Sequence, residues 1–393
     1  MYRKNITLFY ILESLLSLLK AAILPVYVLY FRHYELTLFE VALLASVFET
    51  TVLIFEIPTG LFADRYGRKI STIFGFLLFA ISGIVFSFWR DFVGFLAAEI
   101  IFGISETFIS GALEALAVDS IDGADRDRKL VRLFANRTIL RTSTMIVGMI
   151  GGGLLAENYL SYIFVPIILL GIGVPISFFL REQREAASEM AEIAGTSKIT
   201  DIARMILENR MLVGLFAIGL LANLAGEGVD QYWQVLFSEI KKIDSSYYGV
   251  MTALGALLVV LLAKITERFY ERISLYLTVC FSFMAITIFA AAKFSDYPAI
   301  IAIVFYFAMK EIYRPVISYH LNRNIESRNR ATILSGYNLI CSVGEVIAGV
   351  AVGIIASEFG VGVVFYISAL QAVAILPVCF IPLGKVCQTL GAK

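Results

Sequence analysis

Long apolar runs, separated by short charged links, occupy nearly the whole chain. A run of about 20 mostly apolar residues is long enough to cross a bilayer as a helix. The pattern predicts twelve such spans, at residues 6–30, 40–62, 70–89, 92–119, 138–157, 161–180, 211–236, 246–265, 273–292, 298–320, 331–356 and 361–382. The runs do not alternate with a period of two, and each is far longer than the about ten residues of a membrane β-barrel strand. The expected fold is all-α and membrane-embedded, with twelve transmembrane helices. The first run is too long for a signal-peptide core and lacks a small-residue cleavage site, so it is read as a span.

Composition supports this pattern. Of 393 residues, 59% are hydrophobic and 16% charged, and the mean hydropathy is +0.83. A soluble domain is nearer to a quarter charged. The formal net charge is zero, so nothing in it points to nucleic acid as a partner. Cys280, Cys341, Cys379 and Cys387 lack metal-type spacing, and His33 and His320 stand alone at span ends. No metal site, no cofactor and no catalytic nucleophile–base arrangement is expected.

The cations are uneven. Most of the 32 lysines and arginines fall at the N-terminus and in every second link. The opposite links hold Arg32, Arg90, Lys241, Lys242 and Lys293, while Lys20, Lys310 and Arg314 lie inside spans. The positive-inside rule then places both termini in the cytoplasm of a multi-pass plasma or inner membrane protein. The sequons at Asn5 and Asn136 would face the cytoplasm and carry no glycan. The longest link divides the chain into six-span halves, residues 1–180 and 211–393, with a cytoplasmic linker at 181–210. Within it Ile199, Ile202, Met205 and Ile206 share one helical face, as in a helix lying on the membrane surface.

One link stands out. Residues 55–69 read FEIPTGLFADRYGRK, with Pro58 where the second span is expected to end or bend. Gly60 would let the span approach a neighbour, Gly67 would permit a tight turn, and Arg65, Arg68 and Lys69 would hold the link at anionic headgroups. Between spans 8 and 9 a weaker copy, AKITERFYER at 263–272, repeats the order of small residue, acid, arginine, aromatic and terminal cation. A matched link in a matched place suggests an internal duplication, a common construction of secondary transporters. GLFADRYGRK resembles the G-x-x-x-D-R-x-G-R-K signature of the major facilitator superfamily, and the six-plus-six layout resembles that family over the whole chain. The resemblance implies two pseudo-symmetric six-helix bundles. It also implies a cytoplasmic latch through Asp64, facing the start of span 11 near Arg330, with Asp119 at the end of span 4 joining its charge cluster. The bland alternatives are a purely topological anchor and, for Asp119, a solvated helix end. Two other family patterns are missing: Glu99 stands four residues before Gly103 where many proton-coupled members have arginine, and the glycine-rich fifth span has no proline.

Charges inside the spans carry the candidate chemistry, because a charge at the bilayer centre costs about 2.5–3.5 kcal/mol on insertion scales. Glu13 and Lys20 lie in span 1. Glu99, Glu106 and Glu114 lie in span 4, and Glu227, Asp230, Gln231 and Gln234 in span 7. Lys310, Glu311 and Arg314 lie in span 10. Glu49, Glu56 and Glu345 flank them from spans 2 and 11. Residues seven apart share a helix face about 10 Å apart along the axis, which makes stripes of Glu13–Lys20, Glu49–Glu56, Glu99–Glu106 and Glu227–Gln234. Lys310 and Arg314 would repel on one face unless acids from facing helices separate them. In the family that this chain resembles, helices 1, 4, 7 and 10 surround the central cavity, and the richest stripes fall on those four. Either the charges recognise a charged or zwitterionic substrate, or they form interhelical salt bridges that break during transport. Glu13, Glu106, Glu227 and Asp230 are candidate proton carriers. Tyr27, Tyr232, Trp233 and Tyr313 are candidate substrate contacts or interfacial anchors.

The expected function is secondary active transport of a small molecule by alternating access, as a monomer. The expected form is proton-coupled efflux, since no nucleotide-binding loop of the G-x-x-x-x-G-K-[ST] type is present. Uptake or exchange of a charged metabolite, gripped by Lys20, Lys310 and Arg314, is the alternative within transport. A non-transporting sensor or partner-binding protein on the same fold is the alternative outside it.

Overall fold

The computed structural model describes residues 2–121, 125–182, 206–269, 272–325 and 330–380, and every element among them is helical. Of the 181–210 linker with its expected surface helix, residues 183–205 fall outside the described residues, as do Tyr270 and Glu271 of the second link copy.

The first span is interrupted. Helix α1 (Tyr2–Ile23) gives way to a 3-10 turn at Leu24–Val26, and α2 (Tyr27–His33) completes the crossing. Pro25 accounts for the break, since it has no N–H to donate and its ring crowds the preceding turn. Helix α3 (Leu38–Tyr66) starts with a reciprocal cap: Thr37 Oγ1 accepts from Glu40 N at 3.2 Å, and the Glu40 carboxylate accepts from Thr37 N at 2.7 Å. The helix does not stop at Pro58 but runs on to Tyr66. Gly67, at φ 110°, is the whole link to α4 (Arg68–Phe88), and few residues other than glycine adopt that backbone.

Helix α5 (Phe92–Asp119) is capped by Asp91, which accepts from Gly94 N at 2.8 Å. Helix α6 (Arg126–Leu154) begins twelve residues before the predicted fifth span, so the cation-rich stretch expected as a link is helical. Gly148 and Gly152 of α6 lie against the α1 backbone at Leu18 and Ala22, where any Cβ would collide. Helices α7 (Leu160–Ile168) and α8 (Val174–Phe178) are joined by a π turn at Leu169–Gly173.

The remaining helices are α9 (Arg210–Val235), extended by a π turn at Leu236–Ile240, α10 (Tyr248–Phe269), α11 (Ile273–Lys293), α12 (Asp296–Ile312), α13 (Arg314–Arg323), α14 (Arg330–Phe359), α15 (Val361–Ala374) and α16 (Leu376–Cys379). The tenth span, expected as one helix, is broken at Tyr313, with Pro315 in the first turn of its second piece. Ten of the described helical segments are long and apolar enough to cross a membrane. The other two of the twelve are α6, with its charged first half, and the broken α12–α13 segment.

The chain forms two compact units, Met1–Ile193 with Asp244–Ala253, and Ala194–Ile243 with Leu254–Lys393. The core of the first unit packs Phe9, Leu12, Leu16 and Leu19 of α1 against Phe76 and Phe79 of α4 and Ile109, Leu113 and Leu116 of α5. In the second, Tyr232 of α9, Phe281 of α11, Tyr306 of α12 and Phe365 of α15 are fully buried. Large apolar side chains also cover much of the outside, as at Ile54, Ile57 and Leu61 of α3 and Val260 and Leu261 of α10. Such a surface is costly in water and is the natural outer surface of a protein solvated by lipid.

Candidate functional site

Helices α1–α2 and α5 run in opposite directions and meet through three polar rungs about two turns apart. At the end shared with the charged α3–α4 link, Glu13 and Glu114 both accept from Arg137 of α6. The Arg137 Nη2 to Glu13 Oε1 distance is 2.7 Å and the Nη1 to Glu114 Oε2 distance is 2.6 Å. The guanidinium also stands 5.8 Å from the centroid of the Phe9 ring. In the middle rung Lys20 pairs with Glu106. In the third rung, toward the opposite end, the Tyr27 hydroxyl donates to Glu99. The helical repeat alone places the first two residues of each stripe on one face; the fold shows that the stripes of spans 1 and 4 face each other. Tyr27 continues the Glu13–Lys20 stripe at the same spacing, a signal already in the sequence.

The second unit holds a related pair. Lys310 of α12 contacts Asp230 of α9. The Tyr306 hydroxyl lies 3.0 Å from Asp230 Oδ1 and 3.1 Å from Gly226 O. Glu227 Oε1 accepts from Gln231 Nε2, one turn away, at 2.5 Å. Arg314, half exposed beyond the break in the tenth span, lies 4.0 Å from Glu311. Lys310 and Arg314 thus each have an acid nearby, one from a facing helix and one from their own segment. Gln234 is buried and Glu345 half-buried on α14. Tyr232, Trp233 and Tyr313 are buried in the packing and do not serve as interfacial anchors.

At the α3–α4 link, Arg68 pairs with Asp119, the last residue of α5. Glu182, not anticipated, supplies the missing cap of α4. It accepts from Arg68 N at 2.7 Å and from Lys69 N at 3.4 Å, a carboxylate where the helix end is electropositive. Asp64 and Arg65 are exposed, and no ion pair of Asp64 occurs among the described residues. Gly60 approaches nothing: a Cβ there would meet no atom within 4 Å, so the expected close packing is absent. Glu56 is exposed and Glu49 half-buried. Asn5, noted only as a sequon, is buried and ties three segments. Its Nδ2 donates to Ser120 Oγ at 2.9 Å and to Arg181 O at 2.7 Å, and its Oδ1 accepts from Arg181 N at 3.1 Å.

Residues 9–309 match the Major Facilitator Superfamily. The chain belongs to that family. An uncharacterized MFS-type transporter of Bacillus subtilis (strain 168), YxaM, is 27% identical over 371 residues, covering 92% of each chain. Multidrug resistance protein 1 of the same organism is 25% identical over 370 residues, 90% of this chain and 91% of the relative. Among solved structures, the nucleoside transporter NupG superposes with a TM-score of 0.79 at 14% identity, over 97% of this chain and 99% of that one. That likeness shows the fold. Like its family, the chain is a multi-pass membrane transporter and not an enzyme.

Proposed function

We propose that this major facilitator protein exports a small amphipathic molecule in exchange for protons. The observation that carries the reading is the set of ion pairs inside membrane-spanning helices, Lys20–Glu106 and Glu13–Arg137–Glu114 in one unit and Asp230–Lys310 in the other. A partly buried pair is held by mutual attraction that one proton on the carboxylate removes, leaving a cation inside the membrane that needs a new partner. That is a two-state element which a proton gradient can drive and a substrate can bias. Similarity to a relative named as a multidrug resistance protein supports the direction and the amphipathic substrate. In this reading residues 1–180 and 211–393 act as two six-helix bundles joined by the 181–210 linker, with both termini cytoplasmic. The Asp64 link acts as the latch, Asp119 supports it through Arg68, and the acids within the spans serve substrate or proton.

The test is transport by everted membrane vesicles with ethidium as the probe. Accumulation that rises with an imposed pH gradient, and collapses when nigericin dissipates it, is expected. Accumulation indifferent to nigericin overturns proton coupling. The half-exposed guanidinium of Arg314 favours a second reading, recognition of an anionic substrate group. Arg314→Gln then abolishes counterflow of organic anions in proteoliposomes; undiminished counterflow removes that reading.

A further inference from the structure

The three rungs between α1–α2 and α5 differ in charge. The first holds two carboxylates and a guanidinium, and the second holds a carboxylate and an ammonium. The third holds a carboxylate and a phenol. Glu99 is also the most enclosed of these acids, 1% exposed, whereas Glu106 keeps 28% of its side chain exposed and Glu114 39%. Its Oε2 is buried without a hydrogen-bond partner. Among the described residues, the groups that reach it electrostatically are Tyr27 of α2, Glu49 of α3 and Tyr162 of α7, none of them a cation. The spanning part of α4, the other helix packed on α5 here, carries no charged residue beyond Arg68 and Lys69 at its start.

A carboxylate sealed from water with one donor and a neighbouring acid has nothing to compensate its charge, and charge is what such a site tolerates least. A proton is the smallest compensation, and it also suits a carboxyl oxygen that no protein donor reaches. The donor is placed to report on it. Tyr27 is the first residue of α2, immediately after the turn at Leu24–Val26 that interrupts the first span. Beyond Tyr27, two uncharged bonds tie α2 to neighbouring helices, from Tyr30 to Phe86 O at 2.6 Å and from Tyr159 to Leu29 O at 3.2 Å. Only the Tyr27–Glu99 bond among these changes with a charge.

We propose that Glu99 is the proton-binding site of the first unit, occupied in this dry arrangement, and that loss of its proton draws in water and loosens α2 from α5 at the Pro25 break. The proposal rests on the proton-coupled reading and goes beyond it by naming, beside the ion-paired rungs, an acid without a cation on which the first unit holds a proton. On binding, a proton adds to a Glu99 carboxylate oxygen; on release it leaves to water, and no other bond is made or broken.

The experiment is infrared difference spectroscopy of the purified full-length protein in lipid nanodiscs, which needs no substrate. The wild type is expected to show the C=O stretch of a protonated, dry carboxyl. That band should exchange for a carboxylate band on alkalinisation within the range where the protein stays folded. Glu99→Gln should remove it, and Tyr27→Phe should keep it but move it to higher frequency as the hydrogen bond is lost. A band that persists in Glu99→Gln overturns the assignment while leaving proton-coupled transport standing. A band assigned to Glu99 that no pH within the folded range removes identifies a permanently protonated structural acid and overturns the proton-site role. The band together with nigericin-insensitive transport in vesicles overturns the coupling reading instead.

Discussion

Arg137 shows how much one side chain can hold. It joins α6 to α1 and α5 by bonding Glu13 and Glu114 at once, with its Nε buried and unbonded. Removing it leaves two half-enclosed carboxylates facing each other with nothing between them. Arg137→Gln is therefore expected to cost about 3 kcal/mol of stability, read from denaturant or thermal unfolding of the solubilised protein. Adding Glu13→Gln should recover about 1 kcal/mol of that, a coupling that a cycle of single and double variants measures; additive losses would show that the three groups do not act together. Its role was not legible in the sequence. Six cations between Arg126 and Arg141 read as a link, and only the early start of α6 turns Arg137 inward. The spacing of Glu13, Lys20, Glu99 and Glu106 was legible, because a helical repeat fixes which residues share a face. Which stripe faces which was not, since register between helices depends on the packing of the whole unit.

At the scale of the element, caps and breaks decide where these groups stand. Glu182 closes the first turn of α4 from the far end of the first unit's sequence, a partnership that no local pattern announces. Glu182→Ala should cost about 1 kcal/mol and speed hydrogen exchange at the amides of Arg68 and Lys69; unchanged exchange there would show that solvent caps the helix as well. In the opposite link, Asp244 caps the short turn Ser245–Tyr247 through Ser246 N at 2.8 Å. Hydrogen bonds from the Ser246 side chain and N–H hold this carboxyl below its ordinary range. A group whose folded value is depressed stabilises fully above its unfolded value and loses that contribution as pH falls through the folded one. Acid unfolding of Asp244→Ala should therefore lack this part of the wild-type pH dependence, and identical profiles would mean the cap is energetically silent. The prolines were visible as punctuation, but their outcomes differ. Pro25 and Pro315 mark breaks, while α3 continues through Pro58, and the Thr59 hydroxyl there bonds back to Phe55 O at 2.8 Å.

At the scale of the molecule, each unit holds, among the described residues, a lysine–carboxylate pair between two spanning helices, with the order reversed. The lysine belongs to the first span in Lys20–Glu106 and to the tenth in Asp230–Lys310. The sequence placed positives on spans 1 and 10 and negatives on 4 and 7, and the pairing follows within each unit. Neutralising Asp230 alone strands a cation in the membrane, and neutralising Lys310 alone strands an anion. The double variant Asp230→Asn with Lys310→Gln should thus melt closer to the wild type than either single variant, while pH-driven ethidium accumulation in vesicles falls at least tenfold. A double variant that transports normally would show that the pair only holds the fold.

Gly67 has a mechanical consequence. One residue joins α3 to α4, and a single peptide step spans only about 3.8 Å. Such a hinge has no slack. A tilt of α3 cannot be absorbed in the link and must appear in α4 and in the charged residues between them. Gly67→Ala, whose Cβ would press on the Glu182 carboxylate in a backbone conformation that costs ~1–3 kcal/mol for alanine, should therefore do more than lower stability. It should take two membrane helices out of phase with each other, as a bent pin does to the two leaves of a door.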